Sequence, residues 1–260
     1  MEFKTLLLTE SGRIATLTFN RPEKRNAISY ELIDEMLLAL AAAESADAEV
    51  LIITGAGMAF CSGMDLDNLR AITTRSPEQN LTDSETMARL FRSIFEFPKP
   101  TIAAVNGPAI GGGCGIATLC DFTLASSDAR FGYTEVKIGF LPAIVSTFLI
   151  MQVDEKRARD LLLTGRVFSA EEAQHLGMVT DVVSGGQLME RARELARTLM
   201  QSSPASLRAT KRLLSAFNKD ELDQRLAMAV EENGRIRSTD DFREGITAFL
   251  EKRKPRWSGR

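Results

Sequence analysis

Histidine is nearly absent from this chain: His175 is the only one in 260 residues. A Ser-His-Asp relay would have to run through His175, and no GxSxG elbow is present to offer the serine. Ser62, in CSG, reads instead as a turn residue. His175 stands before Gly177 at the end of a helical pattern, where a cation near a helix C-terminus is reason enough for it. Cysteine is also scarce. Cys61, Cys114 and Cys120 form no CxxC pair, so neither a zinc ribbon nor a disulfide framework is indicated and no metal site is expected. The odd count fits a reducing compartment. No run approaches the ~18 apolar residues of a membrane span. The opening MEFKTLLLTESGR is too acidic, and its apolar run too short, for a signal peptide. A cytoplasmic location is expected. Charge of one sign is lacking too: 32 Lys and Arg against 35 Asp and Glu leave −3. That gives no basis for a nucleic-acid or membrane partner. The one dense basic stretch, Lys252 to Arg256, reads first as a solvated tail.

What is present is an alternation of short apolar runs and amphipathic segments. Residues 13–19 and 50–54 read as strands, as do 101–105 and 122–125. Ser29 looks like the N-cap of a helix over 30–44. Residues 84–97 form a second helix, closed by Pro98 and Pro100, and 68–82 read as a polar, mobile loop. From about 144 onward the pattern is helical almost throughout, over 144–152, 155–163, 170–176, 186–202, 204–217, 219–236 and 239–250. Strands alternating with helices, followed by a helical tail, predict an α/β core of parallel type with a helical C-terminal region.

Residues 109–121, AIGGGCGIATLCD, pose the functional question. Each glycine weakens a helix by about 1 kcal/mol relative to alanine, yet four of them crowd the mouth of one. Glycines there let a group approach the unpaired first N–H groups of the helix, whose partial positive charge suits an anion. A phosphate cradle is one possibility, but GxxxxGK[ST] is absent and Ile116 sits where GxGxxG needs its last glycine. A hole for a developing oxyanion is another. Tight helix–strand packing is a third. FCSGMDL, residues 60–66, places Gly63 at a similar turn, so two loops could each offer one N–H to a single oxygen. Glu135, in FGYTEVKIGFLP, is flanked by apolar residues and is the candidate base. Cys114, Cys120 and Asp121 read as structural.

Five segments carry a specific resemblance: FNRPEKRNAIS, GAGMAFCSGMDL, KPTIAAVNGPAIGGGCGIATLCDFTLAS, ARFGYTEVKIGFLP and FLEKRKPRW. In this order they resemble the successive signatures of the crotonase superfamily, the enoyl-CoA hydratase/isomerase family. The resemblance implies an α/β fold of the crotonase type: a spiral of ββα turns over 1–200, with a helical trimerisation region over 201–260. It implies a trimer or a dimer of trimers and an acyl-CoA thioester substrate. No separate cofactor is implied, since coenzyme A arrives with the substrate. By position, the oxyanion donors fall on the N–H groups of Met64 and Gly112, and the acid/base on Glu135. CoA and acyl contacts fall on Lys24, Arg25, Ser62, Gly63, Asp65, Leu66, Gly111, Gly115, Pro142, Phe249 and Lys252.

One departure matters. Family hydratases carry a second glutamate in the glycine helix, and Gly115 stands at its position. A hydratase would then need another group to position water, such as a substrate carboxylate or a second polar residue. The combination of GGGCGIA with GFLPAIVSTF is similar to hydratases of the methylglutaconyl and carboxygeranoyl type. A Δ3,Δ2-enoyl-CoA isomerase could work with Glu135 alone, and enolate stabilisation also serves other chemistry such as decarboxylation. A non-catalytic acyl-CoA- or RNA-binding relative would have no need of Glu135, and no aromatic-interleaved basic face supports it.

Overall fold

The structure is a computed structural model and describes residues 2–260. The chain begins with an antiparallel pair, β1 (Leu6–Ser11) and β2 (Ile14–Phe19), and then α1 (Tyr30–Ser45), capped by the Ser29 hydroxyl, which accepts from Leu32 N–H. β3 (Val50–Gly55), α2 (Leu66–Ile72) and α3 (Pro77–Phe95) follow. Next come β4 (Thr101–Val105), β5 (Ala109–Ile110), α4 (Gly112–Leu119), β6 (Phe122–Ser126), β7 (Arg130–Gly132) and α5 (Ala143–Leu149). The remainder is α6 (Glu155–Thr164), β8 (Val167–Ser169), α7 (Ala170–His175), β9 (Asp181–Val183), α8 (Leu188–Leu199), α9 (Pro204–Phe217), α10 (Lys219–Ile236) and α11 (Asp240–Leu250).

The main sheet has the order β1-β2-β3-β4-β6-β9 and is parallel beyond the first pair. Its central strands are buried on both faces, as all-parallel strands require. Leu51, Ile53, Ala103 and Val105 point into the large core, while Val50, Ile52, Ile102 and Ala104 pack under Leu188, Ala192 and Ala196 of α8. A second layer is built from much shorter pieces: β5, β7 and β8, together with the bridges Ile28–Met64 and Cys61–Ala109. β2, β3, β4 and β6 each lead into a short extended segment of the second layer and then into helix, which is the expected ββα spiral. α10 packs along α3 and α5, and α11 against α2 and the 3-10 turn Glu135–Ile138.

Two expectations are corrected. Residues 68–82 are helical for the most part, not a loop. Asp65 caps α2 through Asp67 N–H, and Ser76 with Gln79 forms a capping box behind Pro77 at the start of α3. These polar residues are caps rather than loop composition. The C-terminal half is also less uniformly helical than expected. β8 and β9 are three-residue strands that extend the two sheets, too short to show an alternation of their own.

Asn26 explains the NRPEKRNAIS loop. It is fully buried with φ 55°, a left-handed conformation that asparagine tolerates better than most residues. Its Nδ2 donates to the carbonyls of Ala56 and Ala59 at 2.9 and 2.7 Å, and its Oδ1 accepts from Arg21 N–H at 2.9 Å. One side chain therefore ties the exit of β2 to the exit of β3 and sets where Ile28 meets Met64. Asn26→Ala strands buried backbone groups and forces alanine into positive φ. It should lower stability by about 2–4 kcal/mol in a denaturant titration.

Candidate active site

Three loops converge on a cleft of about 1270 Å³. The first is residues 60–66, laced to the 25–28 strip: Ser62 N–H donates to Arg25 O, Ile28 N–H to Gly63 O, and Asp65 N–H to Ile28 O. In such a parallel ladder the bridging residue, Met64, points its own N–H away from Ile28. Among the described residues no acceptor is paired with it, and Met64 lines the cleft. The second loop is residues 109–112. The first α4 hydrogen bond is Gly115 N–H to Gly111 O, so Gly112 N–H has no acceptor within the helix. Gly112 lines the same cleft. Gly63 and Gly111 both lie at positive φ, 90° and 55°. A methyl group on Gly63 would sit 3.1 Å from Ile110 O, so this glycine lets the two loops touch.

The third loop carries Glu135 at the head of its 3-10 turn. A methyl group at Gly111 would lie 3.2 Å from Glu135 Oε1; the carboxyl is seated against the bare Cα of the glycine loop. Its Oε2 is buried and, among the described residues, has no hydrogen-bond partner. Burial disfavours the charged form, only partly offset by the residue's own backbone N–H, and lifts the pKa to about 7. A carboxyl poised there can both accept and return a proton near neutrality. Tyr133 and the thiols of Cys61 and Cys114 lie deeper in the core, where desolvation pushes them far from ionisation.

The structure brings together most of the residues singled out from sequence. Glu135, Met64, Gly112, Lys24, Arg25, Ser62, Gly63, Asp65, Leu66, Gly111, Pro142, Phe249 and Lys252 all line the cleft. Two of them need qualification. Asp65 is committed to the protein: its carboxylate takes Arg21 Nη2 at 2.8 Å and caps α2 at Asp67 N–H. Gly115 does not line the cleft, so the expectation that it contacts substrate is corrected. It is buried in α4, facing Phe91 and Val145, and the space a glutamate there would enter is already occupied. His175 is exposed at the end of α7. Asp121 holds Thr101 N–H and Oγ1 at 2.7 and 2.9 Å and pairs with Lys211 at 2.6 Å, a structural role.

Among the lining residues not singled out from sequence are Phe91 of α3, Phe140, and Asn233 and Arg237 at the end of α10. A signal existed for the last two. The buried face of α10 runs through Leu222, Leu226 and Ala229 to Asn233, and Arg237 is one turn further in phase. Polar residues at core-facing positions ask for a reason.

Gly115 gives a test in which two effects oppose. Alanine would gain about 1 kcal/mol in helix propensity, but its methyl group would lie 2.7 Å from Val145 Cγ1 and 3.1 Å from Phe91 Cε2, and overpacking costs about 1–3 kcal/mol. Gly115→Ala should therefore destabilise by about 1–2 kcal/mol in denaturant unfolding. A gain in stability would show that the pocket wall is soft and that a carboxylate could have been housed there.

Comparison with known proteins agrees with this geometry. The family model for enoyl-CoA hydratase/isomerase matches residues 9–260. A Thermus thermophilus protein with the provisional name enoyl-CoA hydratase is 43% identical over 253 residues, covering 97% of this chain and all of that one. The 2,3-dehydroadipyl-CoA hydratase of Escherichia coli is 36% identical over 98% of this chain and 99% of its own. The crystal structure of an enoyl-CoA hydratase/isomerase from Xanthobacter autotrophicus superposes with a TM-score of 0.89 at 32% identity, over 96% of this chain and 97% of that one. The chain belongs to the enoyl-CoA hydratase/isomerase family, within the crotonase superfamily.

Proposed function

We propose that the protein adds water to a 2-enoyl-CoA thioester, with Glu135 as the only acid/base group. The observation that carries this reading is the meeting, in one cleft, of two backbone N–H groups without acceptors, those of Met64 and Gly112, with one buried carboxyl without a partner. The thioester oxygen sits between the two N–H groups. As water oxygen bonds to Cβ, Glu135 takes a proton from it. The π electrons move to the thioester oxygen, which the two N–H groups stabilise as an enolate. When the enolate collapses, Glu135 returns the proton to Cα. Atoms balance with a single carboxyl and no separate cofactor. Lys24, Arg25 and Lys252, exposed around the cleft, would meet the phosphates of coenzyme A, and Phe249 would cover it. The relatives named as enoyl-CoA hydratases support the reaction class.

A second reading rests on Gly115. With its side packed by Phe91 and Val145, the glycine helix brings no second carboxylate to the reacting carbons. Glu135 alone suffices to move a proton between two carbons, as in a Δ3,Δ2-enoyl-CoA isomerase. Product mass separates the two: hydration adds one water to a 2-enoyl-CoA, while isomerisation of a 3-enoyl-CoA leaves the mass unchanged.

Glu135→Gln should lower kcat/KM by about 10²–10⁴-fold with the fold intact. The ionised carboxyl is the form that takes the proton from water, so kcat/KM should rise with pH through about 7 and then level off. The variant's residual rate should lack that step. A variant within twofold of the parent enzyme would remove Glu135 from the mechanism.

We also propose a homo-oligomer, trimeric or a dimer of trimers, in the cytoplasm. α9 buries none of its residues within the chain and exposes Leu213, Leu214 and Phe217, a face that association would cover. The three cysteines are free and buried, in keeping with a reducing compartment. Leu214→Glu combined with Phe217→Glu should reduce the mass seen by light scattering to that of smaller species. A parent protein that is monomeric at micromolar concentration would overturn the assembly.

A further inference from the structure

The far end of the cleft holds a polar cluster for which the reaction above has no use. Asp83, Met87 and Phe91 lie four residues apart along one stripe of α3. Phe91 is at the oxyanion end: its Cζ is 3.6 Å from where a methyl group on Gly112 would sit. Asp83 is at the other end, paired with Arg237 of the α10 terminus. Eight residues of helix separate them by about 12 Å. The Arg237 guanidinium, held by Asp83, therefore lies toward the end of the cleft where the tip of an acyl chain would lie.

The cluster is not balanced. The side chains of Arg237 and Asp83 are 2% and 5% exposed, and Arg75 also leans on Asp83 at 3.5 Å. Two cations share one carboxylate: Arg237 is buried, whereas Arg75 is 28% exposed and partly solvated, so Asp83 is only partly free to neutralise the buried guanidinium. Hydrogen bonding tells the same story. Arg237 Nη1 is used by Asp83, and Nη2 donates to Asn233 Oδ1 at 2.8 Å. Its Nε–H has no acceptor. Asn233 Oδ1 also accepts from Ser84 Oγ at 2.7 Å, which turns the amide nitrogen onward to Leu141 O at 3.5 Å, too long for a good bond. Arg237 and Asn233 both line the cleft; Asn80, whose Oδ1 is the unmet acceptor nearby, does not. A pair that only fastened α3 to α10 would need one cation and would leave no donors over.

We infer that Arg237 and Asn233 make the closed end of the cleft a recognition site for a carboxylate at the far terminus of the acyl group. The preferred substrate is then a 2-enoyl-CoA whose acyl chain is long enough to span that distance from the oxyanion end and ends in a carboxylate. Arg237 and Asn233 set specificity and take no part in bond making. The inference names the substrate class for the function proposed above and rests on it.

Binding tests it apart from turnover. Calorimetry on the full-length protein would compare pimeloyl-CoA with heptanoyl-CoA, which match in chain length and lack the reactive double bond. Pimeloyl-CoA should bind at least 10-fold more tightly. In Arg237→Met combined with Asp83→Asn, which strands no carboxylate, the ratio should fall below twofold while the melting transition is kept. Asn233→Leu should lower it in the same direction and serves if the double variant does not fold. Equal or tighter binding of heptanoyl-CoA, or a preference that survives the variants, overturns the site. Product mass with the corresponding 2-enoyl thioesters separates the two claims. Water added to both, with the neutral one preferred, sinks the carboxylate site and leaves the hydratase standing. Pimeloyl-CoA preferred in binding, with no water added to either enoyl thioester, does the reverse.

Discussion

A parallel ladder satisfies a bridging residue on one side only, and the site depends on what that leaves over. Ile28 uses its N–H and its carbonyl on Gly63 and Asp65, so Met64, between them, faces the cleft with its own N–H unmatched. The helix mouth at Gly112 is left over for a different reason, the absence of any intrahelical acceptor for the first N–H groups. These are fold-level properties that no side chain supplies. They hold only while the 25–28 strip and the 60–66 loop stay in register, which is why the buried hydrogen bonds of Asn26 matter to chemistry some residues away. An oxyanion pocket of this kind is preorganised: its dipoles are fixed by backbone pairing before substrate arrives and need not reorient during reaction.

Glu135 is the complement to that pocket. A buried carboxyl with three or four donors around it would be pinned as an anion, well below neutrality. Here one oxygen lies against the bare Cα of Gly111 and the other has no partner, so desolvation dominates and the proton affinity rises. The same arrangement that makes the folded state less comfortable with a charge at this position makes the group useful to a reaction that must pick up a proton and return it. The glycine at 111 serves both halves of the site: its positive φ shapes the turn that leads into Gly112 at the cleft, where the proposed thioester oxygen would lie, and its missing side chain admits the carboxyl.

Much of this was legible in the sequence, and the limits have physical causes. Main strands such as Thr101–Val105 and the Ser29-capped helix follow from local patterning, because their apolar runs and caps are sequence-local. Met64, Gly112 and Glu135 were found through ordered motifs, and the structure brings all three to one cleft. The short strands β8 and β9 left no trace, since three residues cannot display a period and their pairing is fixed by tertiary contact. The caps of α2 and α3 were mistaken for loop because Asp65, Ser76 and Pro77 favour turns and helix starts equally. The filling of the space beside Gly115 was invisible, because Phe91 and Val145 approach it from two other helices. Arg237 and Asn233 were in plain phase with the buried face of α10, but phase alone does not say that a cleft rather than a core lies on the far side.

The missing glutamate then has a structural account. At Gly115, α4 approaches α3 and α5 so closely that Phe91 and Val145 close the wall next to the oxyanion pocket. The volume that a second carboxylate would enter is given to aromatic and aliphatic surface; in the proposed reaction that surface would keep water from the enolate and strengthen its two N–H contacts. Polar side chains line the cleft again at Asn233 and Arg237, beside Asp83, which is eight residues from Phe91 along α3. A single carboxyl that takes a proton from the attacking water and returns it to Cα must reach both carbons from one side. If Glu135 does both, the new C–O and C–H bonds form on the same face of the acyl chain, and the acyl group must be held so that this face is the only one presented. A wall of Phe91 and Val145 on one side and an anchor at the far tip would provide that orientation, so the loss of one catalytic group and the presence of a distal polar cluster can be understood as parts of one arrangement.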